Sequence, residues 1–324
     1  MRGRVILALA MIWPALAAAR EVVDATGRTI QVPDHIERVV PAGPPASVLL
    51  AAIAPDLMIG WPSPLSEDAR AMLSPDAAKQ PRIPRLTGRT DVSDEIKALK
   101  PDLILDYGTV SPRYAELAVA TQQRTAIPTV LLDGSLAKIP DVLRSLGVML
   151  HREDRAETLA RFAEALLALP SPGTRPKVLY ARGSDGLMAA APETEVTEVF
   201  TRIGWQVVAP DGQGTFRATS IDTIRALDPD VLIFSDPAMR QIFEQTSVWQ
   251  SVRAVREHRA LVAPSLPFGW IEEPPSINRL IGLAWLSGRD PTTLAVLSNA
   301  VIYGHTLTPT QRDVVLAGVQ PVQP

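Results

Sequence analysis

Asp94-Glu95-Ile96-Lys97-Ala98-Leu99-Lys100-Pro101-Asp102-Leu103-Ile104-Leu105 and Asp222-Thr223-Ile224-Arg225-Ala226-Leu227-Asp228-Pro229-Asp230-Val231-Leu232-Ile233 are two copies of one pattern, 128 residues apart. In each copy, apolar residues at helical spacing give way to a Pro-Asp pair and then to an unbroken apolar run. That order predicts a short amphipathic helix, a turn and a strand buried on both faces, as in a parallel sheet. One such unit in each half implies two lobes on one plan, and two lobes enclose a cleft.

The surrounding sequence repeats the alternation. Residues 22–33 read as a β-hairpin turning at Thr26-Gly27, and Arg38-Val39-Val40 and Leu57-Met58-Ile59-Gly60 read as strands around an apolar helix near 46–54. A helix over 112–125 precedes the strand Thr129-Val130-Leu131-Leu132. In the second half, strands at 178–180, 206–208 and 261–263 alternate with helices near 193–203, 276–287, 291–302 and 309–317. The fold class is therefore α/β, with two doubly wound lobes of mainly parallel sheet. Residues 139–169 carry Val142, Leu146, Met149, Leu150, Leu159, Phe162, Leu166 and Leu167 at helical spacing, which predicts one long helix, or two nearly collinear ones, joining the lobes. The expected organisation is a signal peptide at 1–19, an N-terminal lobe at 20–138, the interlobe helix at 139–169 and a C-terminal lobe at 170–324.

A chain of 324 residues suits two domains of about 150 residues. Its net charge of -3 argues against a nucleic-acid partner, which asks for a basic face. Arg2 and Arg4, the apolar run Val5–Leu16 and Ala17-Ala18-Ala19 have the three parts of a secretory signal peptide. With no cysteine there are no disulfides, no thiol chemistry and no cysteine for a lipid anchor. The expectation is a soluble periplasmic protein, exported without an anchor, and a monomer.

In open parallel sheets, ligands bind beyond the carboxyl ends of the strands. Trp61, Tyr107, Arg182, Phe268 and Trp270 fall at such ends, a set suited to a partly apolar ligand bearing negative charge. Asp94 and Asp222 match under the repeat, at or near the start of each repeat helix. They suit helix capping first, and compatibly with it a docking surface presenting matched charges to a symmetric partner with arginines. Arg89 and Arg217 match under the same offset and suit a shared structural salt bridge. His35, His151, His258 and His305 are scattered, so no bare metal site is expected. Walker A, G-x-S-x-G, H-E-x-x-H and G-x-G-x-x-G signatures are missing, which argues against an enzyme.

The opening Asp24-Ala25-Thr26-Gly27-Arg28-Thr29-Ile30-Gln31-Val32-Pro33, the following Ile36-Glu37-Arg38-Val39-Val40 and the block Leu99-Lys100-Pro101-Asp102-Leu103-Ile104 together resemble the periplasmic substrate-binding proteins of ABC importers for ferric siderophores and cobalamin. The resemblance runs from about Glu21 to Leu286. It implies two lobes with restricted hinge motion, a ligand held in the cleft, and delivery to an ABC permease and its ATPase. A carboxylate on each lobe, usually glutamate, docks the permease in that family; Asp94 and Asp222 match those positions, and Glu95 could substitute in the first lobe. Pro267–Leu280 resembles a subgroup whose ligands include metal complexes and oxyanions. The expected ligand is a ferric siderophore-like metal chelate, with cobalamin, haem, a nickel chelate, or molybdate or tungstate as the alternatives. No resident cofactor is expected. An exported enzyme or a sensory module remain the readings from other classes.

Overall fold

The computed structural model describes residues 19–87 and 90–322. The expected signal peptide lies outside these residues except for Ala19, which opens the first strand. Arg89 lies outside them as well. No described helix is long and apolar enough to cross a membrane.

Strands β1 (Ala19–Val23) and β2 (Thr29–Pro33) form an antiparallel hairpin in which Gly27 takes the positive φ of the turn, as Thr26-Gly27 predicts. Then follow β3 (Val39–Pro41), α1 (Pro44–Ile53), the short helices α2 (Glu67–Ala71) and α3 (Pro75–Ala78), α4 (Ser93–Ala98), β4 (Leu103–Gly108), α5 (Pro112–Thr125) and β5 (Thr129–Asp133). Strands β3, β4 and β5 make a parallel sheet in that order. The strand expected at 57–60 reduces to a single bridge from Met58 to Val39.

Helices α6 (Ile139–Leu150) and α7 (Glu153–Leu167) follow. The second half contains β6 (Lys177–Arg182), β7 (Met188–Ala190), α8 (Glu198–Arg202), β8 (Gln206–Val207), β9 (Phe216–Ala218), α9 (Ile221–Leu227), β10 (Val231–Phe234), α10 (Met239–Gln245), α11 (Ser247–Gln250), α12 (Arg253–Arg256) and β11 (Ala260–Val262). Its central strand β6 pairs in parallel with β10 and β8, and β10 with β11. An antiparallel pair, β7 and β9, extends the sheet from the C-terminal end of β6; the sequence pattern did not reveal it, because these strands have three residues each between glycine-rich turns. Helices α13 (Arg279–Leu286), α14 (Pro291–Tyr303) and α15 (Pro309–Val315) end the described chain.

The repeat survives in detail. Lys100 and Asp228 occupy matched left-handed positions at the ends of α4 and α9. The aspartate after each proline then anchors the start of the neighbouring strand. Asp102 accepts the backbone N–H groups of Glu37 and Arg38, while Asp230 accepts that of Lys177. The Asp102 and Asp230 N–H groups donate back to the Arg38 and Lys177 carbonyls, at 2.8 Å in both copies. The Pro-Asp pair is thus a strand-register device: proline stops the helix and the carboxylate satisfies backbone donors where the next strand enters the sheet.

The joining segment departs from expectation. His151 adopts a left-handed conformation and the chain reverses there, so α6 and α7 form an antiparallel hairpin rather than one long rod or two collinear helices. Arg144 pairs with Glu157 at 2.7 Å and Glu164 at 2.6 Å, contacts closed to a continuous helix, whose rise of about 1.5 Å per residue would separate them widely. Gly147 allows the close approach: a Cβ there would overlap that of Ala156. The apolar spacing persisted through the turn because both helices face the same core, and periodicity does not register a reversal.

Alternate strand residues enter different cores. Leu103, Leu105 and Tyr107, like Val231 and Ile233, join one large apolar cluster shared by both halves and filled by α1, α6, α7, α13 and α14. Ile104 and Leu232 point the other way, into small clusters belonging to one lobe each. The last helices return to the first half: Asn299 donates to the Met72 carbonyl at 3.0 Å and Gln311 to that of Ala71 at 2.8 Å. Arg155 on α7 donates to the Ala52 and Ile302 carbonyls, both at 2.9 Å, tying α1 to α14.

Arg279, which is fully buried, bonds across the lobe boundary. From α13 it donates to the Glu195 carbonyl at 2.8 Å, to Glu198 Oε2 at 2.9 Å and, across the lobe boundary, to the Gly134 carbonyl. Glu198 in turn accepts the Leu136 N–H at 2.9 Å. One guanidinium thereby fixes the strand end after β5 against the start of α8. Arg279→Met is expected to lower stability by about 3 kcal/mol in denaturant unfolding, the lower end for breaking a buried ion pair, since Glu198 keeps some solvent. Gly147→Ala should destabilise by about 1–3 kcal/mol through overpacking against Ala156, although alanine is the better helix former; an increase in stability would contradict the hairpin packing.

Candidate functional site

The strand ends β4 and β6 open into a cleft of about 880 Å³ between the two sheets. Its N-terminal wall comes from the end of β4 (Asp106–Gly108), the first turns of α5 (Arg113, Tyr114) and the Arg85–Thr87 loop. The C-terminal wall is built from Arg182 at the end of β6, residues 193–196, Phe216 on β9 and the Glu272–Pro275 loop. Helix α1 begins at the cleft through Gly43 and Pro45, with no acidic residue in its first turn. Ser276 fixes this junction by donating to the Pro45 carbonyl at 2.8 Å.

Three arginines reach the cleft from different elements: Arg85, Arg113 and Arg182. The Arg182 guanidinium lies over the Phe216 ring at 3.5 Å and stands 3.9 Å from Glu272 Oε2. The ring holds the cation in place without neutralising it. Opposed to these cations are five carboxyls, Asp106, Glu116, Glu193, Glu195 and Glu272, of which three are poor anions. Burial raises the Asp106 pKa. Burial also raises that of Glu195, against the pull of Arg279. Glu272 is pushed up to about 7, by burial first and by its neighbour Glu273 second. Among the described residues no group of three or more histidine, aspartate or glutamate side chains could hold a metal ion. The cleft is thus equipped to receive a ligand with negative charge and some apolar surface.

The residues singled out from sequence divide. Tyr107 and Arg182 line the cleft; Tyr107 is buried, its hydroxyl lacks a partner, and burial raises its pKa. Trp61 and Phe268 pack together with ring centroids 5.7 Å apart and border a separate cavity of about 480 Å³ on the other side of the Pro44 and Pro274 loops. Trp61 also donates its indole N–H to the Ala77 carbonyl, which aims the ring inward. Trp270 is only 1% exposed and packs edge-on against Trp285, so it belongs to the core and not to the ligand wall. Both tryptophans follow strand ends in sequence, but loops carry them past the sheet edge into packing positions.

Sequence reasoning did not find Arg85, Arg113, Tyr114, Phe216 and Glu272 in this cleft. Arg113 and Tyr114 were within reach: they begin the helix after a strand end, where ligands bind. Phe216 was hidden by the undetected strand pair, and Glu272 reaches the cleft only because its long loop folds back over α1.

Asp94 and Asp222 stand in the first turns of α4 and α9, each with a side chain 91% exposed. Neither caps its helix. Ser220 accepts the Thr223 N–H, and Asp91 accepts from Ser93. Asp94 instead pairs with Lys97 at 2.5 Å and Asp222 with Arg225 at 3.4 Å, one turn on. Glu95 is exposed beside Asp94. Arg217 donates to the Pro210 carbonyl at 2.8 Å and forms no ion pair among the described residues.

The periplasmic binding protein family model matches residues 50–266. No curated protein sequence matches the chain. Among solved structures, the fold is similar to that of an ABC transporter solute-binding protein from Sulfurospirillum deleyianum, with a TM-score of 0.82 and 24% identity over 91% of this chain and 98% of that one. A periplasmic solute-binding protein from Veillonella parvula aligns with a TM-score of 0.69 and 21% identity, over 92% and 97% of the two chains. The molybdate periplasmic binding protein of Haemophilus influenzae aligns with a TM-score of 0.68 and 15% identity, over 90% and 99%. At these identities the structures establish the fold, and the family model spans more than half of the sequence. The chain belongs to the periplasmic binding protein family, whose members bind ligands and are not enzymes.

Proposed function

We propose that this protein captures an anionic metal chelate of the ferric siderophore type in its interlobe cleft and delivers it to the permease of an ABC importer. The observation that carries this reading is the cleft itself: about 880 Å³, walled by both halves, with Arg85, Arg113 and Arg182 converging on it. Pockets for organic ligands of moderate size span about 300–1,000 Å³, and this one lies near the top of that range. Guanidinium groups match carboxylate, catecholate and hydroxamate oxygens, while Tyr107, Tyr114 and Phe216 offer apolar surface to an organic scaffold. With no metal-binding cluster among the described residues, an iron would enter held by its own chelator.

A second reading is a bare oxyanion such as molybdate, favoured by the similarity to the molybdate-binding protein. Against it stands the volume, far larger than a tetraoxyanion requires. In either case the lobes would move little, because one apolar core and the Arg279 clamp run across their boundary. Asp94 and Asp222, exposed at matched positions and free of capping duty, are the proposed permease contacts, with Glu95 beside the first.

Native mass spectrometry of protein purified from its own periplasm should find a bound species of chelate mass; molybdate mass would decide for the oxyanion. In tryptophan-fluorescence titration with that species, Arg182→Ala and Arg113→Ala should each weaken binding by about 10- to 100-fold, the loss of a charge-assisted hydrogen bond. Unchanged affinity removes that arginine from the site. The double variant Asp94→Lys, Asp222→Lys should keep its ligand affinity but lose uptake in cells; normal uptake would refute the docking role.

A further inference from the structure

Glu272 is the cleft carboxyl set against one of the cleft's arginines, a placement that the anion-binding reading leaves unexplained. Its residue surface is 4% exposed, it lines the cleft, and its Oε1 is buried without a hydrogen-bond partner. Its other oxygen lies 3.9 Å from the Arg182 guanidinium, beyond hydrogen-bond range. A buried carboxylate left unsatisfied costs stability, and this one would also compete with any anion that Arg182 attracts. Both difficulties vanish if the carboxyl is neutral and gives its O–H to the ligand.

We propose that Glu272 determines ligand specificity: as a neutral acid it donates its O–H to an oxygen of the bound anion while Arg182 supplies the charge, so that one proton is taken up with each ligand. The ligand class this selects is an anion presenting an oxygen that can accept from an acid and a guanidinium together, such as a carboxylate, catecholate or oxometalate. This rests on the anion-binding reading above and extends it to the protonation state of the site.

The groups facing Glu272 pull in both directions. The Tyr180 hydroxyl and the Arg182 cation, both from β6, favour the carboxylate, while burial and the like charge of Glu273 beside it favour the neutral acid and prevail. Burial and Glu273 outweigh that cation, so that the empty cleft holds the carboxyl poised near neutrality. A ligand anion settling on Arg182 adds negative charge next to Glu272 and raises its proton affinity further. For a group with a free-state pKa near 7 that must be protonated in the complex, affinity falls by about tenfold between pH 6 and pH 8.

The experiment is calorimetric titration of the full chain with ferric citrate, a ferric tris-catecholate and sodium molybdate. Each is run at pH 6 and pH 8, and at pH 8 in two buffers of different ionisation enthalpy. The expected result is that at least one probe binds about tenfold more tightly at pH 6, with close to one proton taken up at pH 8, and that Glu272→Gln removes the pH dependence and the uptake. Proton uptake by the unmodified protein tests the idea even if the variant does not fold. Binding without proton uptake, or a pH dependence kept in Glu272→Gln, overturns the role of Glu272 and leaves the binding reading standing. Binding of molybdate alone overturns the chelate reading, and the Glu272 role is then decided on molybdate. No binding by any probe overturns both.

Discussion

Arg279 is the point on which the arrangement turns. A guanidinium cannot be neutralised by deprotonation, so a fully buried one must find its partners within the fold. Here they are the Gly134 and Glu195 carbonyls and the Glu198 carboxylate, which belong to two segments, one from each lobe. Separating the lobes would strip a buried charge of one of its acceptors. That constraint holds the end of β5 against α8 and sets the spacing of the cleft walls, since Gly108, bonded to Gly134 by a 2.7 Å backbone hydrogen bond, and Glu195 both line the cleft.

The shared core acts in the same direction. Each repeated strand sends alternate side chains into its own small outer cluster and into one common interior. The α6–α7 hairpin, with α13 and α14, fills that interior. A ligand entering the cleft therefore meets walls already in place, and binding spends little free energy on ordering them. What remains adjustable is electrostatic. The arginines are permanent charges, whereas burial weakens three of the five acids among them, Asp106, Glu195 and Glu272. A cleft that is overall acidic by composition can in this way favour an anion.

How much of this was legible beforehand depended on range. The helix-turn-strand unit was legible because its signals are local: Pro101 and Pro229 stop helices, and the apolar runs after them can only be buried strands. The fold class followed from alternation, and Tyr107 and Arg182 reached the cleft as strand-end residues should. Trp61, Phe268 and Trp270 did not, because an aromatic in a long loop goes where its burial is greatest, and that was the core beside the cleft. The reversal at His151 was equally invisible, since a core-facing apolar stripe looks the same whether the chain continues or doubles back.

By itself, then, the sequence determined what neighbouring residues can decide: two duplicated units, each with its Pro-Asp turn, and parallel strands. Tertiary structure alone decided which distant groups would meet. It placed Glu272 beside Arg182, 90 positions earlier in the chain, and Arg279 against Gly134, 145 positions away. The physical reason is that a side chain's charge, its freedom from solvent and its partners are set by what packs over it, and nothing in the local order of residues encodes that.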